Sequence, residues 1–224
     1  MFDRLDLLIG DSQRKKLSEM TVLIVGVGGV GGYCVETLAR SGIGNLILVD
    51  YDNIDISNIN RQVIALNSNI GLKKIDVFEK RLKDINPNIN IIKLDLFLDS
   101  SNINIIDNYN IDYLIDACDS LNTKKEIIKK CIENDIPFIS SMGTGKRLNS
   151  SMLEITSLDK TNYDPIARIL RKYVRDMKIN KKIMVLSSRE QPCNIDSKDI
   201  PSCVFVPSTA GILISNYVFL QLIK

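Results

Sequence analysis

Short apolar runs alternate with helix-spaced repeats through most of this chain. Val22-Leu23-Ile24-Val25 runs straight into a cluster of glycines, and a helical pattern follows over residues 33–40. A short apolar run that ends in glycine reads as a buried parallel strand, a tight turn and a helix start. Similar runs lie at 45–50, 89–94, 113–117 and 137–141, separated by helical patterns at 71–85, 103–109 and 122–134. Ser41-Gly42-Ile43-Gly44 and Asn86-Pro87 supply helix stops. Strands alternating with helices at this spacing predict an α/β, Rossmann-like fold: a mostly parallel sheet with helices on both faces. Beyond residue 145 the pattern changes. Residues 152–156 and 183–187 read as strands around a helix at 164–177, and 207–222 as a last, mostly apolar helix packed on the sheet. The chain thus divides into a nucleotide-binding core over 1–145, led in by a polar, partly helical stretch at 1–19, and a C-terminal α+β extension over 146–224 packed on the same domain.

The glycines hold the G-x-G-x-x-G spacing at Gly26, Gly28 and Gly31, with Gly29 inside the turn. Missing side chains allow close backbone approach to a pyrophosphate seated on a helix N-terminus. Many nucleotide enzymes share this motif, and a tight turn without a ligand has the same signature. Asp50 closes the next strand, at the distance from the glycines that suits an acid binding a ribose hydroxyl. Ligands of such sheets sit beyond the carboxyl ends of the strands, where Asp50, Asp119 and the glycine turn all fall.

Composition narrows the chemistry. The 224 residues carry no His, which removes the commonest general base and metal ligand. Five cysteines (34, 118, 131, 193 and 203) form no C-x-x-C pair, so zinc-knuckle and thioredoxin-type motifs are absent. That count, without a secretory signal, points to a reducing cytoplasm. No apolar run approaches the ~18 residues of a membrane span; 210–223 is short and holds Ser215, Asn216 and Gln221. Net charge is +2, but residues 146–189 hold 11 Lys+Arg against 4 Asp+Glu, leaving 18 against 23 elsewhere. Within the 164–177 helix, Arg168, Arg171, Lys172 and Arg175 share one face. That face is either a contact for a polyanion or the solvated side of an amphipathic helix.

The tract from Asp50 to Gln62, followed by Gly71-Leu72-Lys73-Lys74, is richer in cations than hydride transfer to a dinucleotide requires. Moving the α-phosphate of ATP needs cations aimed at charge developing on phosphate and departing pyrophosphate. Arg61 offers a planar fork, Lys74 a point charge and Asn58 a hydrogen-bonding amide. Asp119 offers a carboxylate for Mg²⁺, which takes one or two carboxylates plus phosphate oxygens. The set suits adenylyl transfer.

These pieces, Gly26 to Gly32, Asp50-x-Asp52, Asn58-x-x-Arg61-Gln62, Lys74 and Asp116-Ala-Cys-Asp119, resemble the ubiquitin-activating-type adenylating enzymes, which include the sulfur-carrier activators of molybdopterin and thiamine synthesis. The resemblance implies that Gly26, Gly28, Gly29, Gly31, Asp50 and Asp52 form the nucleotide site, with Asp50 on the ribose. It implies Asn58, Arg61 and Lys74 on the phosphates, Asp119 on the metal, and Arg4 lent across a homodimer interface. Ser41-Gly-Ile-Gly-Asn45, Ser141-Met-Gly-Thr-Gly145, Asp164-Pro-Ile-Ala-Arg168 and Val204-Phe-Val-Pro-Ser208 are similar to the branch that dehydrates threonylcarbamoyladenosine in tRNA. That branch implies ATP and Mg²⁺ as requirements, an acyl-adenylate closed by a nucleophile inside the substrate, and tRNA on the basic face. Adenylation of a sulfur carrier's C-terminal glycine is the alternative, though the paired C-x-x-C motifs usual in those activators are missing; an NAD-dependent oxidoreductase is a further one. Cys193 and Cys203 remain candidates for a covalent role, while Cys34, Cys118 and Cys131 read as packing residues.

Overall fold

The computed structural model describes residues 1–224. Its strands are β1 (Thr21–Val25), β2 (Asn45–Val49), β3 (Asn90–Leu94), β4 (Tyr113–Asp116), β5 (Phe138–Ser141), β6 (Leu153–Ser157) and β7 (Met184–Ser188). They form one seven-stranded sheet in the order β3-β2-β1-β4-β5-β7-β6. Every neighbouring pair is parallel except β6–β7, which is antiparallel. The order reverses beside β1, and at such a switch point the crossovers on either side leave a crevice beyond the strand ends.

Period-two alternation divides the apolar residues of β1 between two cores. Val22 and Ile24 join the larger cluster; Leu23 and Val25 face the other side. The larger core is covered by α3 (Gly31–Arg40), α4 (Lys74–Ile85) and α7 (Phe205–Leu222) through Val35, Leu38, Phe78, Leu82, Ile214 and Val218. The opposite face is covered by α5 (Leu121–Glu133) and a 3-10 segment at Ile103–Asn108, through Ile127, Cys131, Ile103 and Ile106. A third cluster joins α6 (Pro165–Asp176) to β7 through Ala167, Leu170 and Val185.

Departures from the sequence reading have local causes. The lead-in is two helices, α1 (Asp3–Ile9) and α2 (Asp11–Glu19), broken at Gly10, whose φ is +85°. The helix expected from residue 71 starts at Lys74, because Lys73 is extended and bridges Asn53. Residues 103–108 wind as 3-10 rather than α-helix. The last helix runs for 18 residues with a mean hydropathy of 1.3, long and apolar enough to cross a membrane, which corrects the shorter span inferred from the sequence. Val206, Ala210, Ile214, Val218 and Leu222 place one stripe of it in the core. Gly211 lets it cross α3 closely: a Cβ there would lie 2.4 Å from the Val30 carbonyl oxygen.

Candidate active site

The glycine turn follows directly from β1. Gly26 sits at φ +83°, and a Cβ on it would meet the Ala117 carbonyl oxygen at 2.9 Å. A Cβ on Gly31 would lie 1.8 Å from the Gly26 carbonyl oxygen, so α3 starts tucked under the turn only because both positions are glycine. Gly28 and Gly29 line a cleft of about 570 Å³ beyond the carboxyl ends of β1, β2, β4 and β5. That is the size of a small-molecule site.

Asp50 leaves β2 on the floor of this cleft and is buried. One carboxylate oxygen accepts from the Val27 amide at 2.8 Å and the other from the Asp52 amide at 2.9 Å. Burial pushes the Asp50 carboxyl up; the Lys74 ammonium and these two amides oppose that rise. Lys74 opens α4, only 4% exposed, with Nζ 2.6 Å from Asp52 Oδ2 and 3.9 Å from Asp50 Oδ1. The acid and the cation expected at the nucleotide therefore share one corner.

The phosphate-side residues come from the 3-10 turn Ile56–Asn58 and the bend after it. Asp55 accepts from the Ser57 amide, and the Asn58 side-chain oxygen accepts from the Asp55 amide at 3.1 Å, a reciprocal cap that fixes the turn. Arg61 lays its stem beside the glycine turn: a Cβ on Gly29 would be 3.6 Å from Arg61 Cγ. Its guanidinium donates to the Ser57 carbonyl and to Asn60 Oδ1, both at 2.8 Å. Gln62 lies under the same turn, 7% exposed, with Oε1 lacking any hydrogen-bond partner.

Asp119, just past β4, is exposed at the rim. The phenol of Tyr51 is raised first by the Asp52 carboxylate, then by burial, then by Asp119 and Asp50, so three carboxylates gather around one ring. Lys74 already neutralises part of that charge, leaving Asp119 as the exposed carboxylate at the rim. No three carboxylate, Cys or His groups converge as a closed metal cage. Phosphate and water oxygens would complete the shell of a Mg²⁺ ion at Asp119.

Two buried cationic side chains lie beneath the rim that the sequence reading did not single out. Lys124 is 1% exposed. Its Nζ donates to Asp116 Oδ2 at 3.0 Å and to the Ser141 carbonyl at 2.8 Å, tying the strand end before Asp119 to the turn after β5. Burial is the strongest influence and lowers the Lys124 ammonium, but Asp116, Cys118 and Asp164 together raise it above its usual range. The available signal was position: Lys124 shares the stripe of Ile127, Ile128 and Cys131 on α5. Arg147, 2% exposed, pairs with Asp164 at 3.3 Å and donates to the Gly143 carbonyl at 3.1 Å. Asp164 in turn accepts from the Gly143 amide and caps α6 at the Ala167 amide, both at 2.9 Å. A strap over residues 193–202 closes this side. Lys146 donates its amide to the Pro201 carbonyl, Asn60 donates to the Ser202 carbonyl at 3.0 Å, and Ile200 packs on Gly145.

Of the five cysteines only Cys118 lines the cleft. Burial first, then Asp116, push its thiol up and keep it protonated, a poor nucleophile. Cys193 and Cys203 lie outside the cleft lining. Arg4, expected to be lent across a dimer interface, does not line the cleft of its own chain. Its helix packs on α2, with Phe2 and Leu5 against Gly42, at the amino end of β2. The four basic residues of α6 are not equivalent: Arg168, Lys172 and Arg175 are exposed, whereas Arg171 donates to the Thr161 carbonyl at 2.9 Å.

The ThiF family model matches residues 2–188. The chain belongs to the ThiF family. Among its ThiF-family relatives, the tRNA threonylcarbamoyladenosine dehydratase of Bacillus subtilis (strain 168) is 38% identical over 240 residues, covering 100% of this chain and 94% of that protein. The crystal structure of the E. coli tRNA N6-threonylcarbamoyladenosine dehydratase with ATP matches at a TM-score of 0.93 and 30% identity, over 99% of this chain and 93% of that one. The molybdopterin-synthase adenylyltransferase of Haemophilus influenzae is 30% identical over 72% of this chain and 65% of its own length.

Proposed function

We propose that this protein is an ATP-dependent tRNA threonylcarbamoyladenosine dehydratase, which closes the threonylcarbamoyl group of a modified adenosine beside the anticodon into a ring. The observation that carries the reading is the convergence of Asp50, Asn58, Arg61, Gln62 and Lys74 on the glycine turn, in a chain similar to such dehydratases over its whole length.

In this reading Asp50 holds the ribose and the glycine turn receives the phosphates on the N-terminus of α3. The threonyl carboxylate attacks the α-phosphorus of ATP; the bond to pyrophosphate breaks, and an acyl-adenylate forms. Arg61 and Lys74 face the charge that develops on the α-phosphate and the departing pyrophosphate. Arg61 swings from Ser57 and Asn60, neutral partners that it exchanges for phosphate oxygens at little cost. Asp119 would hold Mg²⁺, which neutralises phosphate charge when bound. A nucleophile within the carbamoyl group then attacks the activated carbonyl and AMP departs, so the nucleoside has lost one water. Because that nucleophile is already tethered, its effective concentration is very high, and no His or thiolate of the enzyme is needed.

Arg4, kept away from its own cleft, is assigned to the cleft of a second copy, which makes the working unit a homodimer. The 80–89% exposure of Leu7 and Leu8 on α1 supports such a partner. Arg168, Lys172 and Arg175 face the tRNA backbone, and the reaction belongs in the cytoplasm, where ATP and tRNA meet. The test is mass spectrometry of nucleosides from tRNA incubated with the protein, ATP and Mg²⁺. Loss of one water from threonylcarbamoyladenosine supports the reading; unchanged nucleoside with ATP present sinks it. Similarity to the molybdopterin-synthase adenylyltransferase favours a second reading, activation of a sulfur carrier. It predicts pyrophosphate exchange stimulated by that carrier and indifferent to tRNA.

A further inference from the structure

Helix α6 joins two concavities. Its N-cap, Asp164, is bonded to Gly143 and Ile166 lines the nucleotide cleft. Its last turn opens on a separate groove of about 780 Å³. At 1.5 Å per residue the 12-residue helix spans about 18 Å between them. The groove lies where β6 ends and β7 begins, at the opposite edge of the sheet from the cleft. Lys160, Arg171, Arg175, Lys178, Lys181 and Lys182 line it against a single carboxylate, Asp159.

Lys181 is taken up by Asp135 across the gap, while none of the other five enters an ion pair. Lys178 ends the helix at φ +54°, with the Ile179 amide donating to the Val174 carbonyl and its own amide to Arg175, both at 3.0 Å. That left-handed position favours glycine, and here it carries a cation instead. The negative end of the helix dipole attracts one or two such charges at its last turn. It does not draw Lys160 and Lys182, which come from other segments. Exposed Arg168, Lys172 and Arg175 continue the positive charge back along α6 toward the cleft.

A double-stranded RNA stem offers a matching ligand: phosphates repeated along a rigid line and read by charge and shape. We propose that the groove binds the phosphate backbone of the anticodon stem while the modified base of the adjoining loop occupies the cleft. The inference rests on the tRNA-modifying reading above and adds a second contact that the cleft does not supply.

The test is the triple variant K160Q/K178Q/K182Q, three exposed residues outside the catalytic cleft. Binding is titrated over a range of salt with tRNA, with an isolated anticodon stem–loop, with single-stranded RNA of the loop alone, and with inorganic polyphosphate. Affinity for tRNA and stem–loop falls about tenfold or more, and the slope of log affinity against log salt shrinks by about three. ATP affinity and binding of the loop alone stay unchanged, and KM for tRNA rises while kcat holds. Loss of polyphosphate binding alone, with the stem–loop still held, overturns the proposal in favour of a small polyanion site. Wild-type protein that dehydrates tRNA while the variant keeps its affinity and salt slope overturns the groove alone. Wild-type protein that neither binds nor dehydrates tRNA overturns the groove and the tRNA reading together.

Discussion

Lys74→Met is the substitution that separates binding from chemistry at the cleft. Lys74 is 4% exposed, with Nζ 2.6 Å from Asp52 Oδ2 and 3.9 Å from Asp50 Oδ1. Removing it has two consequences of calculable size. The first is to the reaction: one preorganised cation facing transition-state charge in a sheltered site contributes about 3–4 kcal/mol, so kcat falls roughly 10²–10³-fold. The second is to the fold. Stripping one partner from a fully buried pair costs about 3–5 kcal/mol. The Asp52 side chain is 46% exposed, so solvent screening reduces this to about 2 kcal/mol. Melting should drop by roughly 4–8 °C for a chain of this length. A signature also appears in pH. The Lys74 ammonium is the main charge opposing the burial that raises Asp50; without it the carboxyl rises further, and the acid limb of ATP affinity moves to higher pH. Rates of nucleoside dehydration, fluorescent-ATP titrations from acid to neutral pH and thermal melts together read all three effects, with Lys74→Arg as the charge-retaining control. A Lys74→Met enzyme with undiminished kcat, or one whose ATP-binding profile does not move with pH, refutes the assignment of this amine to the phosphates.

Other expectations follow from packing and charge elsewhere. Gly211→Val places a branched side chain where even a Cβ would be 2.4 Å from the Val30 carbonyl, so α7 shifts off α3; a loss of about 1–3 kcal/mol in urea melts, with weaker ATP binding, is expected. Burial raises Glu36, but the Arg81 and Arg40 guanidiniums outweigh it and hold the carboxyl below the usual 4.5. A depressed carboxyl stabilises the fold above its unfolded pKa and loses that contribution as pH falls through the folded value. Glu36→Gln should therefore lower the melting temperature at neutral pH, with the difference from wild type closing below pH 4.5. The double variant Cys193→Ser/Cys203→Ser should dehydrate tRNA at the wild-type rate, since neither thiol lines the cleft; a lost rate in the variant, or an acyl group trapped on either thiol of the wild-type protein, overturns the internal-nucleophile mechanism.

The alternation of apolar runs with helical repeats was enough to place all seven strands within a residue or so at either end, because each is a contiguous stretch whose burial follows from its own residues. The local chemistry of the glycine turn was equally legible: Gly26 and Gly31 answer to steric demands within a few residues of themselves and the next strand. Asp50 at a strand end was legible too, but Lys74, read inside a helix from residue 71, reaches its company by opening that helix beside Asp52. Long-range contacts were not legible. The pairing of Lys124 with Asp116 under the rim, and of Arg147 with Asp164, depends on which elements end up adjacent, and a lysine in a helical pattern looks solvated until its face is known. That α7 packs on the sheet was read from its apolar pattern, but its close crossing of α3 at Gly211 was set only by the tertiary structure. Arg4 and the α6 groove show the same limit from the other direction: residue type supplied the charge, but only the tertiary structure set which edge of the sheet each cation faces.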